Sequence, residues 1–199
     1  MKILFISLGC DKNLADSEEM LGLLTGNGHE IVDSEEEADA IVINTCCFIH
    51  DAKEESVNTI LEMAEYKKTG PCKILIVTGC MAQRYKEEIT EEIPEVDAVL
   101  GTTSYGDIVK ALNEAEAGHV FQEFKDINAL PEDSGRRVIT TGGHFGYLKI
   151  AEGCDKHCTY CIIPKVRGDF RSVPMEHLLE EAQNLADGGG KELILVAQE

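Results

Sequence analysis

Short, nearly continuous apolar runs recur through the first part of the chain. They cover residues 3–8, 40–44, 73–77 and 96–100 and are rich in isoleucine, valine and leucine. Runs of this length and β-branched character suit strands buried on both faces, as in parallel sheets. Helical patterns lie between them. Asp16, Ser17, Glu18 and Glu19 supply a cap and first-turn acids, followed by Met20, Leu21, Leu23 and Leu24, with Gly26 and Gly28 as stop signals. Val57, Ile60, Leu61 and Ala64 recur on one face of residues 51–68. Residues 81–92, stopped by Pro94, and 105–117 read as two more helices. Strand alternating with helix predicts an α/β fold, a doubly wound open parallel sheet over residues 1–127.

The pattern then changes. Residues 128–143 carry Pro131, Glu132, Asp133, Ser134 and Gly135, then Thr140, Thr141, Gly142 and Gly143, a linker composition in which Val138 and Ile139 can form a short extended piece. Residues 144–199 form a second unit. It has a strand at 145–150, a cysteine loop, a helix near 174–187 with Leu178, Leu179, Ala182 and Leu185 on one face, a stop at 188–190, and a strand at 192–197. A β-loop-α-β unit of about 55 residues cannot bury both faces of its sheet. It reads as the opening of a larger barrel or sheet, cut off at Glu199.

Composition narrows the function classes. The chain has 199 residues, 43% apolar and 28% charged, typical of a globular protein. No apolar run reaches the ~18 to 20 residues of a membrane span. The apolar start turns polar at Ser7 to Lys12 with no small-residue cleavage site, so it does not read as a signal peptide. A cytoplasmic setting is expected. The eight cysteines there are expected as ligands or catalysts rather than disulfides. A net charge of -19 argues against a grip on a nucleic-acid backbone and suits a basic partner better, although solubility alone explains an acidic surface.

The chemistry sits in two sets of thiols. Cys154, Cys158 and Cys161 have the spacing C-x3-C-x2-C with no later cysteine. Three thiolates suit a 4Fe–4S cluster with one open iron. Zinc completed by His157 and three thiols without metal are the alternatives. Cys10, Cys46 and Cys80 each follow the carboxyl end of a predicted parallel strand, where ligand sites of open α/β sheets form. If those strands are neighbours, the thiols converge, and Gly9 and Gly79 let the backbone approach a bulky group. The plain alternative is that they fill gaps at strand ends. Cys47 adjoins Cys46, so either is a candidate; Cys72 precedes its strand and breaks the rule. His29, His50 and His119, and the acidic runs at 34–37 and 87–92, read as solvated.

Cys154-x3-Cys158-x-Tyr160-Cys161 resembles the signature loop of the radical S-adenosylmethionine (SAM) enzymes. The N-terminal motifs resemble the methylthiotransferase domain found with that signature. These are Gly9-Cys10-Asp11-Lys12-Asn13 with Asp16-Ser17-Glu18, Asn44-Thr45-Cys46 followed by Phe48 and Ala52, and Gly79-Cys80. Asp11-Lys12-Asn13, the run from Cys158 to Pro164, and Arg167-Gly168 resemble the branch acting on a ribosomal protein more than the tRNA branch.

The resemblance implies a methylthiotransferase N-terminal domain followed by the start of a radical SAM partial barrel. It implies that Cys154, Cys158 and Cys161 hold one 4Fe–4S cluster whose open iron chelates SAM, with Tyr160 near the adenine. It implies that Cys10, Cys46 and Cys80 hold a second, auxiliary 4Fe–4S cluster, and Cys46 rather than Cys47 fits the Asn-Thr-Cys motif. The reaction implied is methylthiolation of the β-carbon of an aspartate on a small-subunit ribosomal protein, using two SAM per turnover and a flavodoxin-like or similar reducing donor. A tRNA adenosine methylthiotransferase, or a non-catalytic iron–sulfur-binding module for this piece alone, stand as the alternatives. The family's length is roughly twice this chain's, so the piece alone is expected to be inactive.

Overall fold

The computed structural model describes residues 1–131, 135 and 137–198. Of the expected linker, residues 132–134 and 136 lie outside the described residues.

The first half is a parallel sheet between two helical layers. Its elements are β1 (Lys2–Ser7), α1 (Asp11–Gly26), β2 (Glu30–Val32), β3 (Ala40–Thr45), α2 (His50–Thr69), β4 (Ile74–Gly79), α3 (Cys80–Arg84), α4 (Lys86–Glu92), β5 (Ala98–Leu100), α5 (Ile108–Glu116) and β6 (Phe121–Glu123). The strand order is β2-β1-β3-β4-β5-β6, and every pairing is parallel.

Alternation along the central strands explains why they read as unbroken apolar runs. Ile41, Ile43, Leu75, Val77 and Val99 face one layer, built from Ile60, Met63 and Ala64 of α2 with Met81 and Ala82 of α3. Ala40, Val42, Ile74, Ile76 and Ala98 face the other, where Met20 and Leu24 of α1 meet Ile108, Ala111 and Leu112 of α5. Both faces are covered, so β3 and β4 are buried at all six positions each.

The structure departs from the expectations at several places. The edge strands β2 and β6 carry too few apolar residues to stand out as runs. The helix expected over 81–92 is two, broken at Tyr85 (φ -124°, ψ 37°). On α2, Met63 takes the buried place expected for Leu61, which is 48% exposed. The largest difference is in α1, which starts at Asp11 rather than near Asp16. Asp16, Ser17 and Glu18 are therefore not an exposed cap but a buried stripe along the helix. Lys149, Arg167 and Arg137 take up the charges of Asp16 and Glu18, while the Ser17 hydroxyl bonds within the first half to Ser7, Asn13 and Asn44.

The second half begins with β7 (Phe145–Lys149) and β8 (Ala151–Glu152), continues through α6 (Ile163–Arg167), β9 (Arg171–Ser172) and α7 (Met175–Asp187), and ends in β10 (Glu192–Val196). β7 and β10 pair in parallel; β8 and β9 pair antiparallel. Of the four apolar residues expected to pack on α7, only Leu185 is buried, directly over Gly146 of β7. Leu179 is 64% exposed. No strand forms at Val138, but its N–H donates to Glu18 O at 3.0 Å and ties the linker to α1. Among the described residues no helix is long and apolar enough to cross a membrane.

Candidate functional site

The strand order brings three cysteine-bearing turns together. β1, β3 and β4 are consecutive in the sheet, and Cys10, Cys46 and Cys80 follow their carboxyl ends. This edge lies where the strand order reverses, between β1 and β3, the usual place for a ligand in an open α/β sheet.

The turns are built for close approach. Gly9 has φ +100°, and a Cβ there would lie 2.7 Å from Cys46 Cβ and 3.0 Å from Cys46 Sγ. Gly79 has φ +93°, and a Cβ would come within 2.3 Å of Asn44 Oδ1 and 2.5 Å of Thr45 O. Only glycine takes both the backbone conformation and the contact. Cys46 is fixed further by Ser56 of α2, whose hydroxyl accepts from Cys46 N–H at 3.0 Å and donates to its carbonyl at 2.9 Å.

Asn13 straps the turns to one another. Its amide donates to Leu8 O at 2.8 Å and to Thr45 O at 2.9 Å, joining the ends of β1 and β3. Its carbonyl side accepts from Arg167 Nη2 at 2.5 Å. Asn44 returns the tie, donating to Asn13 O and Ser17 Oγ at 2.9 Å each.

Electrostatics at the edge are those of partly buried thiols beside one cation. Burial pushes the Cys80 thiol up, against the pull of Arg167, whose Nε–H donates to Cys80 Sγ at 3.3 Å. Burial likewise raises Cys46, while Cys10 is exposed. Cys47 is buried on the other side of the turn, donating to Cys80 O at 3.3 Å, and burial pushes it to about 12. It packs with Leu75 and Val77 rather than with Cys10. Cys72 is buried too, with its Sγ on Ile74 O at 3.3 Å.

The second thiol set lies on a loop seated by the segment after α6. Cys154 N–H donates to Gly168 O at 3.1 Å, and Cys161 N–H to Cys158 O at 2.9 Å. His157 takes φ 47°, the left-handed turn of the loop. Cys158 is exposed, Cys154 and Cys161 half-buried, and Tyr160 is 91% exposed. All eight cysteines are free thiols. Among the described residues no three His, Cys, Asp or Glu side chains are drawn into an arrangement that holds a metal ion.

The donor chemistry nevertheless fits an iron–sulfur group at the sheet edge. Three cysteine-bearing turns follow adjacent strands there, glycines stand where a Cβ would collide, and an N–H points at one sulfur.

Between the two sets runs a buried ionic network that the apolar pattern did not reveal. Lys12 Nζ donates to Ala151 O at 2.5 Å and pairs with Glu152 at 3.2 Å. Lys149 pairs with Asp16, with Glu152 at 3.1 Å, and donates to Tyr105 Oη at 3.1 Å. Arg167 pairs with Asp16 at 2.6 Å. Arg137 pairs with Glu18 at 2.7 Å and with Glu181. Burial disfavours the Glu152 carboxylate, but Lys149, Arg167 and Lys12 outweigh it and hold it near 2. Burial lowers the Lys12 amine to about 8. Breaking one member of such a buried network leaves an uncompensated charge and costs about 3–5 kcal/mol. A faint signal was present in the sequence: Lys12 and Asn13 lie four and three positions before Asp16, the spacings that bring side chains together on a helix.

An open parallel sheet with cysteines at its switch point, joined to a β-loop-α-β unit carrying a three-cysteine loop, defines an α/β protein with two separate sets of thiols. Comparison with known proteins agrees. Residues 2–101 match the family described as uncharacterized protein family UPF0004, and residues 148–199 match the radical SAM superfamily. The chain belongs to the UPF0004 family, whose model takes in just over half of it, and a radical SAM segment follows.

It is 68% identical over its full length to the ribosomal protein uS12 methylthiotransferase RimO of Lachnoclostridium phytofermentans. It is 50% and 51% identical to the proteins of the same name from Clostridioides difficile and Acetivibrio thermocellus. In each case the match takes in the whole of this chain and 45% of the relative, so the chain spans just under half the length of these curated relatives.

Proposed function

We propose that, within a full-length enzyme, this chain supplies the two cluster sites of a ribosomal-protein methylthiotransferase. The reaction replaces C–H by C–S–CH3 at the β-carbon of an aspartate on the small-subunit protein uS12, with two SAM per turnover. In this reading residues 1–127 are the methylthiotransferase domain, 128–143 a linker and 144–199 the beginning of the radical SAM domain. Cys10, Cys46 and Cys80 would hold the auxiliary 4Fe–4S cluster, and Cys154, Cys158 and Cys161 the SAM-cleaving one.

The observation that carries the reading is the gathering of three cysteine turns on adjacent strands in a chain that bears a second three-thiol loop. The clusters and SAM, when bound, supply the one-electron and methyl chemistry that side chains lack. The chain's own residues do the holding. Asn13 and Ser56 fix the turns, Gly9 and Gly79 leave room, and Tyr160 stands beside Cys161 with its ring free to stack on an adenine. The -19 charge suits a basic protein substrate. A flavodoxin-like or similar donor in the cytoplasm would deliver the electron.

The test is iron content and product. The full-length protein should bind about eight irons, two clusters of four, and a gene deletion should remove a methylthio group from uS12 by mass spectrometry. Iron near four would remove the auxiliary cluster; loss of a tRNA modification alone would sink the substrate.

A further inference from the structure

A single short stretch of chain, Arg167 and Gly168, touches both sets of cysteines. Gly168 O accepts from the N–H of Cys154, the first thiol of the loop, at 3.1 Å. The Arg167 side chain turns the opposite way and enters the sheet edge, where it is 2% exposed. Each face of its guanidinium fork is engaged: Nε–H with Cys80 Sγ at 3.3 Å, Nη1 with Asp16 Oδ2 at 2.6 Å, and Nη2 with Asn13 Oδ1 at 2.5 Å. Asn13 carries the contact onward to Leu8 and Thr45, the residues leading into the Cys10 and Cys46 turns. The backbone leaves Arg167 no latitude to retreat. Gly168 has φ +75°, and a Cβ there would lie 2.6 Å from Ile127 O and from Asn128 Oδ1.

We propose that Arg167, supplied by the second half of the chain, is a positioning residue of the Cys10, Cys46 and Cys80 site. It aims one N–H at the Cys80 sulfur, and through Asn13 it keeps the other two turns in register. The proposal rests on the reading that these thiols hold a cluster. An N–H donated to a cluster sulfur, from a cation, favours the more negative reduced state and raises the reduction potential. Lysine is no substitute, because a single ammonium cannot reproduce the planar fork that meets sulfur, carboxylate and amide together. Among the described residues the side chain makes no hydrogen bond with Cys154, Cys158 or Cys161, so the direct effect falls on one site.

The test uses the full-length protein in two backgrounds. One carries Cys154→Ala, Cys158→Ala and Cys161→Ala and retains only the sheet-edge cluster. The other carries Cys10→Ala, Cys46→Ala and Cys80→Ala and retains only the loop cluster. Arg167→Lys is introduced into each, and the midpoint potential is read by an EPR-monitored redox titration. The expected result is a shift to more negative potential in the first background, with none in the second. Should Arg167→Lys not accumulate as folded protein, Asp16→Glu is read in the same way, since it keeps both charges and displaces the carboxylate that aims the guanidinium; the expected shift has the same sign. An unmoved potential at the sheet edge, or equal shifts in both backgrounds, overturns the proposal. If the first background binds no iron before Arg167 is changed, the two-cluster reading itself falls and takes this inference with it.

Discussion

Replacing Glu19 by glutamine should stabilise the protein at pH 8 and leave it nearly unchanged at pH 4. Glu19 lies on α1, facing the same cleft as the buried network. Its carboxylate is 4.0 Å from Lys149 Nζ, whose closer partners are Asp16, Glu152 and Tyr105. The groups that bear on it are Lys149 from β7, Asp16 from its own helix, Glu181 from α7 and Arg137 from the linker. Burial raises its proton affinity from 4.5 to about 7, with Asp16 and Glu181 adding to the rise and the two cations opposing it.

A carboxyl with a raised folded value contributes most below the unfolded value, and that contribution is lost as pH rises through 7. At roughly 1.4 kcal/mol per pH unit, the loss by pH 8 is about 3 kcal/mol. Against a typical total of about 5–15 kcal/mol, that is a large share. Glutamine keeps the shape and cannot ionise. Urea denaturation of wild type and Glu19→Gln at pH 4, 5, 6, 7 and 8 should show curves that nearly coincide at pH 4 and separate progressively up to about pH 7, the variant more stable. A difference independent of pH, or a variant less stable at pH 8, would refute the argument that Glu19 is the network's surplus carboxylate.

Other outcomes follow from the turns. Gly79→Ala should cost about 3 kcal/mol or more, combining left-handed strain with a clash against backbone that cannot yield. Gly28→Ala, at φ +84° with nothing within 4 Å of the new Cβ, should cost only about 1–2 kcal/mol; equal losses in thermal melts would discount the crowding at Gly79. Ser56→Ala should cost about 2 kcal/mol by leaving the buried Cys46 amide unpaired, which denaturation and slower-to-faster exchange of that amide would both report. Cys72→Ser should leave iron in the full-length protein unchanged, because Cys72 lies beyond the other end of β4; a fall in iron would give it a ligand's role.

Much of the fold was legible because the central strands are buried on both faces. An all-apolar run such as Ile41 to Ile43 can be little else in a chain with Gly and Asn at its turns. The convergence of Cys10, Cys46 and Cys80 was conditional in the sequence on their strands being neighbours, and β1, β3 and β4 are consecutive in the sheet. Edge strands β2 and β6 were lost because three residues with one covered face leave no periodicity to detect. The misplaced start of α1 is the more instructive error. Asp16, Ser17 and Glu18 have the composition of a helix cap, and local propensity reads them so. What fixes them is non-local: Lys149 and Arg167 approach Asp16, and Arg137 approaches Glu18, from more than 100 positions away in sequence. A buried charge has no local signature, because its meaning lies in a partner that only the fold supplies.

That network also explains why the two halves sit together without a large apolar seam. The hydrophobic clusters belong almost wholly to the sheet and its helices, with Val166 and Ile162 the contributions from α6. The join is made by Lys12, Lys149, Arg167 and Arg137 reaching Glu152, Asp16 and Glu18. Such a join is sensitive to geometry rather than to area: an ion pair out of water repays its desolvation only when every partner is in place. An apolar seam could slide by an ångström at little cost, whereas this one fixes register. A site whose thiols come from the sheet while its cation comes from the other half needs that property, since a small slip would draw Arg167 away from Cys80 before it disturbed the fold. The charges buried along α1 are therefore best understood as the alignment of one half's thiols to the other half's arginine, with stability a secondary return.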